Sequence, residues 1–190
     1  LSLYNLNDNS LQPLTYGYHS VYLDDISNND NKILVTIKKD SITKSPFSFS
    51  SVYEIDLHSL TIDTLIKDDG FVYSAQYLKD NENIVITAAN DFHNGIGLKI
   101  KRNQKSNLFN ESIYLMNIKT KQVKAIGKDF NPSIYSVVVG KDNLYLNCAD
   151  KDSISEYRYN IKENKYYKLN LDVDISHSFS ISEDEKTAVY

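Results

Sequence analysis

Glycine is scarce in this 190-residue chain: there are six, and none stands in Gly-x-Ser-x-Gly spacing. That excludes the strained elbow that presents a serine nucleophile between a strand and a helix. Cysteine occurs once, at Cys148, so no internal disulfide can form. A lone thiol suits a reducing, cytoplasmic compartment without excluding a secreted or cell-envelope one. No apolar run approaches the roughly 18–20 residues of a membrane-spanning helix, and no basic-plus-apolar leader opens the chain. Charge of one sign is also lacking. The balance of 21 Lys+Arg against 25 Asp+Glu leaves −4, too mild to draw the chain to nucleic acid or an anionic membrane. The four histidines, His19, His58, His93 and His177, never fall at the i, i+2 or i, i+4 spacing of a metal pair. The expectation is therefore no metal and no other cofactor.

What is abundant points to strands. Fifteen tyrosines, many Val and Ile, and frequent Asn favour strands joined by polar turns. Period-2 alternation runs throughout, while helical periodicity is hard to find. One class of segment reads "LSLYNLNDNSLQPLT", "SVYEIDLHSLTIDTLI", "SIYLMNIKTKQVKAIG" and "SEYRYNIKENKYYKLN", aligned on Tyr4, Tyr53, Tyr114 and Tyr157. Each is an alternating strand, a short turn and a second strand, here called C and D. Between them lie "HSVYLDDISNNDNKILVTI", "YSAQYLKDNENIVITA", "YSVVVGKDNLYLNCA" and "HSFSISEDEKTAVY", each opening on an aromatic or His followed by Ser20, Ser74, Ser136 or Ser178. These supply strands A and B. The order is C–D, then A–B–C–D three times, then A–B, or sixteen strands.

A period of roughly 40–60 residues with four antiparallel strands per unit predicts an all-β fold. It is a β-propeller or propeller fragment of about four four-stranded blades. A stacked sandwich is the rival, but it gives no reason for Ser at one position in four successive units. The chain reads as a single domain, 1–190, with units near 1–15, 16–66, 67–127, 128–170 and 171–190. Because it opens on Leu1 and ends inside an apolar strand, the sequence reads as a segment of something longer. A four-bladed ring, closed by pairing the first C–D with the last A–B, is the alternative.

The A–B segments resemble the "fSPDGkkiaY" pattern of TolB-like and prolyl-oligopeptidase-family propellers, most nearly in "FSISEDEKTAVY" and "QYLKDNENIVIT". The C–D segments resemble those families' "iyviDletGkvkqLT", here "IYLMNIKTKQVKAIG" and "LYNLNDNSLQPLT". The run 143–169 is similar to the non-catalytic domain of acylaminoacyl-peptidase-like members, the dipeptidyl-peptidase N-terminal type. The SPDG turn is never intact, and with no Trp there is no Trp-Asp dipeptide of the WD40-like kind. The resemblance implies a substrate-gating or orienting propeller beside a separate α/β-hydrolase domain of a serine peptidase. A TolB-like protein- or ligand-binding module with no attached enzyme is the alternative it leaves open. A propeller lyase or glycosidase would need channel-facing acids or metal-binding histidines that cannot be located in the sequence.

No catalytic residue can be named in this chain, so whether the whole protein is an enzyme stays open. The acidic turns "SNNDN", "KDNEN", "GKDN" and "SEDEK" recur between strands A and B, which marks them as turn chemistry. Cys148 lies on an alternating strand and reads as a small core residue. One stretch departs from the repeat. An insertion, 90–111, separates strands B and C of its unit, and a smaller excess, 38–50, does so in the first. The expectation is a basic-aromatic rim of Lys38, Lys39, Lys44, Lys99, Lys101, Arg102 and Lys105 with Phe47, Phe92, His93 and Phe109. Such a rim would bind a peptide or protein partner, or the adjoining hydrolase domain. The alternative is a solvated insertion with no binding role.

Overall fold

The computed structural model describes residues 1–43, 45–97, 109–176 and 178–190. The chain forms two compact units, Leu1–Gly70 and Phe71–Tyr190. The first holds a hairpin, β1 (Ser2–Tyr4) and β2 (Leu11–Pro13), and a four-stranded sheet. That sheet runs β3 (Ser20–Ile26), β4 (Lys32–Asp40), β5 (Ser48–Asp56) and β6 (Ile62–Asp69), each antiparallel to the next. The second unit repeats the arrangement twice. One sheet is β7 (Val72–Tyr77), β8 (Asn83–Ala89), β9 (Glu111–Asn117) and β10 (Val123–Ala125). The other is β11 (Ser133–Val139), β12 (Asn143–Asp150), β13 (Ser153–Asn160) and β14 (Lys165–Lys168). A hairpin of β15 (Ser180–Ile181) and β16 (Ala188–Val189) follows. Sixteen strands among the described residues thus stand in the C–D, A–B–C–D, A–B order that the sequence predicts.

The turns show why so few glycines suffice. Each C–D turn places one residue in the left-handed region: Asn9, Leu60, Lys121 and Asn164, with φ between 54° and 59°. The A–B turns do the same at Asp30, Asn81 and Glu185. Asn and Asp tolerate this conformation because their side chains bond locally; Leu and Lys do not. The residue that ends strand C compensates. Asp56 Oδ1 accepts from the His58 and Ser59 amides at 3.0 and 2.8 Å, and Asn117 Oδ1 accepts from the Thr120 amide at 3.0 Å. Those bonds hold the Asp56 carboxyl below its ordinary range, with Ser59 the main cause. Leu60 is 41% exposed and gives up little by losing its side chain. Leu60→Gly is therefore expected to stabilise the chain by about 1 kcal/mol, read as a higher urea midpoint at unchanged slope.

The first hairpin sits two residues from the register that its tyrosine suggests. Asn5, not Asn7, occupies the place of Asp56 and Asn117, because the backbone bonds Asn9 N→Asn5 O, Leu60 N→Asp56 O and Lys121 N→Asn117 O correspond. Tyr4 is accordingly the counterpart of Tyr159. Both hydroxyls donate to the left-handed asparagine of their own turn, Asn9 and Asn164, at 2.6 Å. A slip of two keeps every side chain on its own face, so the alternation alone could not reveal it.

The aromatic–Ser signature also finds its cause. The β7–β8 ladder skips Tyr73 and the β11–β12 ladder skips Tyr135, each the extra residue of a bulge that turns the ring outward. In the first unit the ladder skips Asp24 instead, and His19 is exposed.

Central strands are buried on both faces: Ile84–Ala89 and Asn143–Cys148 are covered along their length. Within the second unit, Val85 and Ile113 of one sheet pack with Ile134, Leu144, Leu146 and Cys148 of the other. The first unit has its own cluster of Ile33, Val35 and Ile55, with Leu14 and Val21 against it. Burial pushes the Cys148 thiol up, so it is an inert core group.

The last acidic turn has a further role. Glu185 Oε1 accepts from the Lys141 amide at 2.5 Å and Oε2 from Asn143 Nδ2 at 2.7 Å, clamping the β11–β12 turn. Gly140 makes room for it, since a Cβ there would collide with Glu185 Oε1. We expect Glu185→Ala and Gly140→Ala each to cost about 1–2 kcal/mol. The double variant should cost little more than either, a non-additivity that a double-mutant cycle measures.

Candidate functional site

Strand β8 ends at Ala89 and β9 begins at Glu111, so the 90–111 insertion leaves and re-enters the sheet through Asn90 and Asn110. Its first residues make a single turn, Phe92–Gly95, in which His93 (φ 51°), Asn94 (φ 58°) and Gly95 (φ 75°) are successively left-handed. Only glycine adopts this region without cost, so the turn must be held by its surroundings. Phe92 holds it. Its ring meets Tyr114 edge-on, centroids 4.9 Å apart at 70°, and its exposure is 0%. The Tyr114 hydroxyl donates to the Ala89 carbonyl at 3.2 Å, and a Cβ at Gly97 would strike the same ring. In sequence Phe92 is expected on the rim. Its ring instead fills the core under the insertion, as a fully apolar side chain does when a pocket is within reach. His93, next to it, is exposed, with its ring 5.7 Å from Phe92.

The two ends of the insertion, Asn90 and Asn110, line a cavity of about 170 Å³ together with Glu111, Ser112, Gly127, Phe130, Asn131 and Pro132. Gly127 sets its floor, since any side chain there would run into Ser112 Oγ. Phe130 is fixed by stacking on Tyr166, centroids 4.2 Å apart, and by meeting Tyr157 edge-on at 4.9 Å. Ser133 Oγ accepts from the Glu111 amide at 3.1 Å and donates to the Phe109 carbonyl at 3.4 Å, tying down the returning strand. Burial raises the Glu111 carboxyl above its ordinary range. Tyr73 is raised by burial and then by the charge of Glu111. The lining offers a carboxylate, three amides and an aromatic wall. It can orient hydrogen-bonding groups.

The remaining rim residues divide. Lys38 is exposed on β4, while Lys39 Nζ lies 3.8 Å from Asp68 Oδ1 in an exposed ion pair worth about 0–1 kcal/mol. Both belong to the first unit, Phe92 and His93 to the second. Phe47 and Phe109 are exposed. Lys44, Lys99, Lys101, Arg102, Lys105 and His177 lie outside the described residues. Among the described residues no group of three His, Cys, Asp or Glu side chains is placed to hold a metal, and no helix is long and apolar enough to cross a membrane. Glu111, Asn90 and Asn110 were not singled out from sequence. The signal available was their position at the two mouths of the insertion, where the repeat breaks.

No family model matches this chain, and no curated protein matches it in sequence. Solved structures do match in fold. TolB from Acinetobacter baumannii superposes with a TM-score of 0.66 at 16% identity, over 97% of this chain and 41% of that one. The tricorn protease gives a TM-score of 0.71 at 10% identity, over 98% of this chain and 22% of that one. Acylaminoacyl peptidase from Pyrococcus horikoshii gives 0.58 at 11% identity, over 95% and 28% respectively. The chain thus spans well under half the length of each of these proteins. Repeated four-stranded meanders, hairpins at both ends and these superpositions make the fold that of the TolB- and prolyl-oligopeptidase-type β-propellers.

Proposed function

We propose that this chain is a non-catalytic propeller domain that uses the 90–111 insertion to engage a peptide or an adjoining α/β-hydrolase domain of a prolyl-oligopeptidase-like serine peptidase. The observation that carries the reading is the left-handed turn His93–Gly95, anchored on buried Phe92 at the start of an insertion whose two ends, Asn90 and Asn110, line the cavity at Glu111. The turn places strained backbone where the repeat is interrupted, and strain of this kind clusters at functional sites. The basic residues of the same insertion, Lys99, Lys101, Arg102 and Lys105, would add attraction for carboxylates of the partner. In this role the chain orients or gates a substrate, and the bond-breaking residues belong to another domain. The lone buried cysteine fits a cytoplasmic setting.

The test is peptide binding by fluorescence anisotropy, with a set of labelled peptides of varied charge. The triple charge reversal Lys99→Glu, Lys101→Glu, Arg102→Glu should weaken the best binder about tenfold and remove its salt dependence. Unchanged affinity would sink the reading. The similarity to TolB over 97% of the chain supports a second one, a protein- or ligand-binding module with no attached enzyme. The two differ in partner: a prolyl-oligopeptidase-type hydrolase domain added in trans should bind under the first reading and not under the second.

A further inference from the structure

A second cavity, on the far sheet of the same unit, has a different chemistry. After β14 the chain donates once more, Leu169 N→Glu156 O at 2.9 Å. It then loops away and returns to pair in parallel with β13, through Ile154 N→Asp174 O and Ser176 N→Ile154 O. Between strand and loop a space of about 240 Å³ opens, several times the roughly 30 Å³ that one water occupies. Glu156, which lines it, is 1% exposed, and its Oε2 has no hydrogen-bond partner among the described residues. A buried carboxylate oxygen without a donor is costly, and native structures rarely leave one so.

The neighbouring donors are already engaged. Asn147 Nδ2 donates to Glu156 Oε1 at 2.6 Å and to the Ser176 carbonyl at 2.9 Å. The Ser176 hydroxyl donates to Glu156 Oε1 at 3.0 Å. Ser153 Oγ donates to the Asp150 carbonyl at 3.0 Å, so in the 3.1 Å pair with Ser155 it is Ser155 that donates. Lys168, also in the lining, is paired with Asp150 Oδ2 at 3.4 Å. What the buried part of the lining offers is therefore acceptors, Glu156 Oε2 and the serine lone pairs, with Asp174 and Asn170 at the exposed mouth. Burial holds the Glu156 carboxyl above its ordinary range, while the Asn147 and Ser176 bonds favour its charged form. A compact cation with several N–H donors meets these acceptors at once.

We infer that this cavity binds a primary ammonium group, from a small alkylamine or from a peptide N-terminus, with Glu156 Oε2 as its principal acceptor. The experiment is a titration of the 15N-labelled 190-residue chain with ethylammonium chloride, glycinamide hydrochloride and, as a cation without N–H donors, tetramethylammonium chloride. Both primary ammonium probes should shift the amide signals of Ser153 to Glu156 and Ser176, and tetramethylammonium should not. Tighter binding of glycinamide assigns the site to peptide ends; tighter binding of ethylammonium assigns it to free amines. Glu156→Gln keeps an acceptor for Asn147 and Ser176 while removing the charge, and should weaken binding about tenfold or more. Asp174→Asn, at the exposed mouth, should weaken it about threefold and serves if the first variant does not fold. Absence of shifts with both probes overturns the assignment, as does equal response to tetramethylammonium or undiminished binding by the charge-removing variants.

Discussion

Replacing Phe92 by alanine is expected to lower the stability of the chain by about 3–4 kcal/mol, the range for an aromatic side chain removed from a closed core. The ring is fully buried, packs edge-on against Tyr114 and carries the left-handed turn that starts the insertion. Its loss leaves a hole beneath that turn and removes what holds three left-handed residues in place. Urea denaturation followed by far-ultraviolet dichroism measures the change. Phe92→Leu, which refills most of the volume, should recover more than half of it. A residue that served only as a surface contact would cost less than about 0.5 kcal/mol. A small effect would therefore return Phe92 to the rim and remove the structural basis proposed for the insertion.

The second large effect is a dependence on pH. Asp24 is the bulged residue of β3, turned inward, with Thr36 Oγ1 donating to its Oδ2 at 2.5 Å. Burial raises its carboxyl to about 6, Thr36 pulls it partly back, and the charge of Asp25 pushes it further up. The folded state then holds this proton more tightly than the unfolded chain, where the ordinary value is 3.8. The contribution to stability is fully present below about pH 4 and is lost as pH rises through 6. Above that, the buried charge costs about 2–3 kcal/mol, at 1.36 kcal/mol per pH unit of difference. Asp24→Asn keeps the acceptor for Thr36 and removes the charge. It should match the parent near pH 3.5 and exceed its stability by about 2 kcal/mol at pH 7.5. Parallel stability curves for the two proteins across that range would show that Asp24 ionises freely in the fold.

How much of this was legible beforehand follows from what alternation can carry. Strand order and turn positions were readable, because period 2 and the polar turns repeat four times. The shift of Tyr4 from Tyr157 to Tyr159 was hidden, since two residues restore the same face. Phe92 sits in "NDFHNG", where no periodicity assigns a side, so its burial depended on a pocket above Tyr114 that only the fold supplies. Glu156 was hidden for the opposite reason. In "SEYRYN" it alternates with tyrosines and reads as outward-facing, and the loop that returns to Ser176 is what buries it. The acidic turn at Glu183–Glu185 reads as turn chemistry in sequence; its hold on the previous sheet depends on which turns are neighbours.

That hold carries a consequence for how the chain is made. The Lys141 amide finds its partner in Glu185, 44 residues further along. At a synthesis rate of roughly 5–20 residues per second, the β11–β12 turn waits about 2–9 s for its carboxylate. During that interval its sheet can form but its end stays loose, open to chaperones and proteases. Completion of the last hairpin is what closes it.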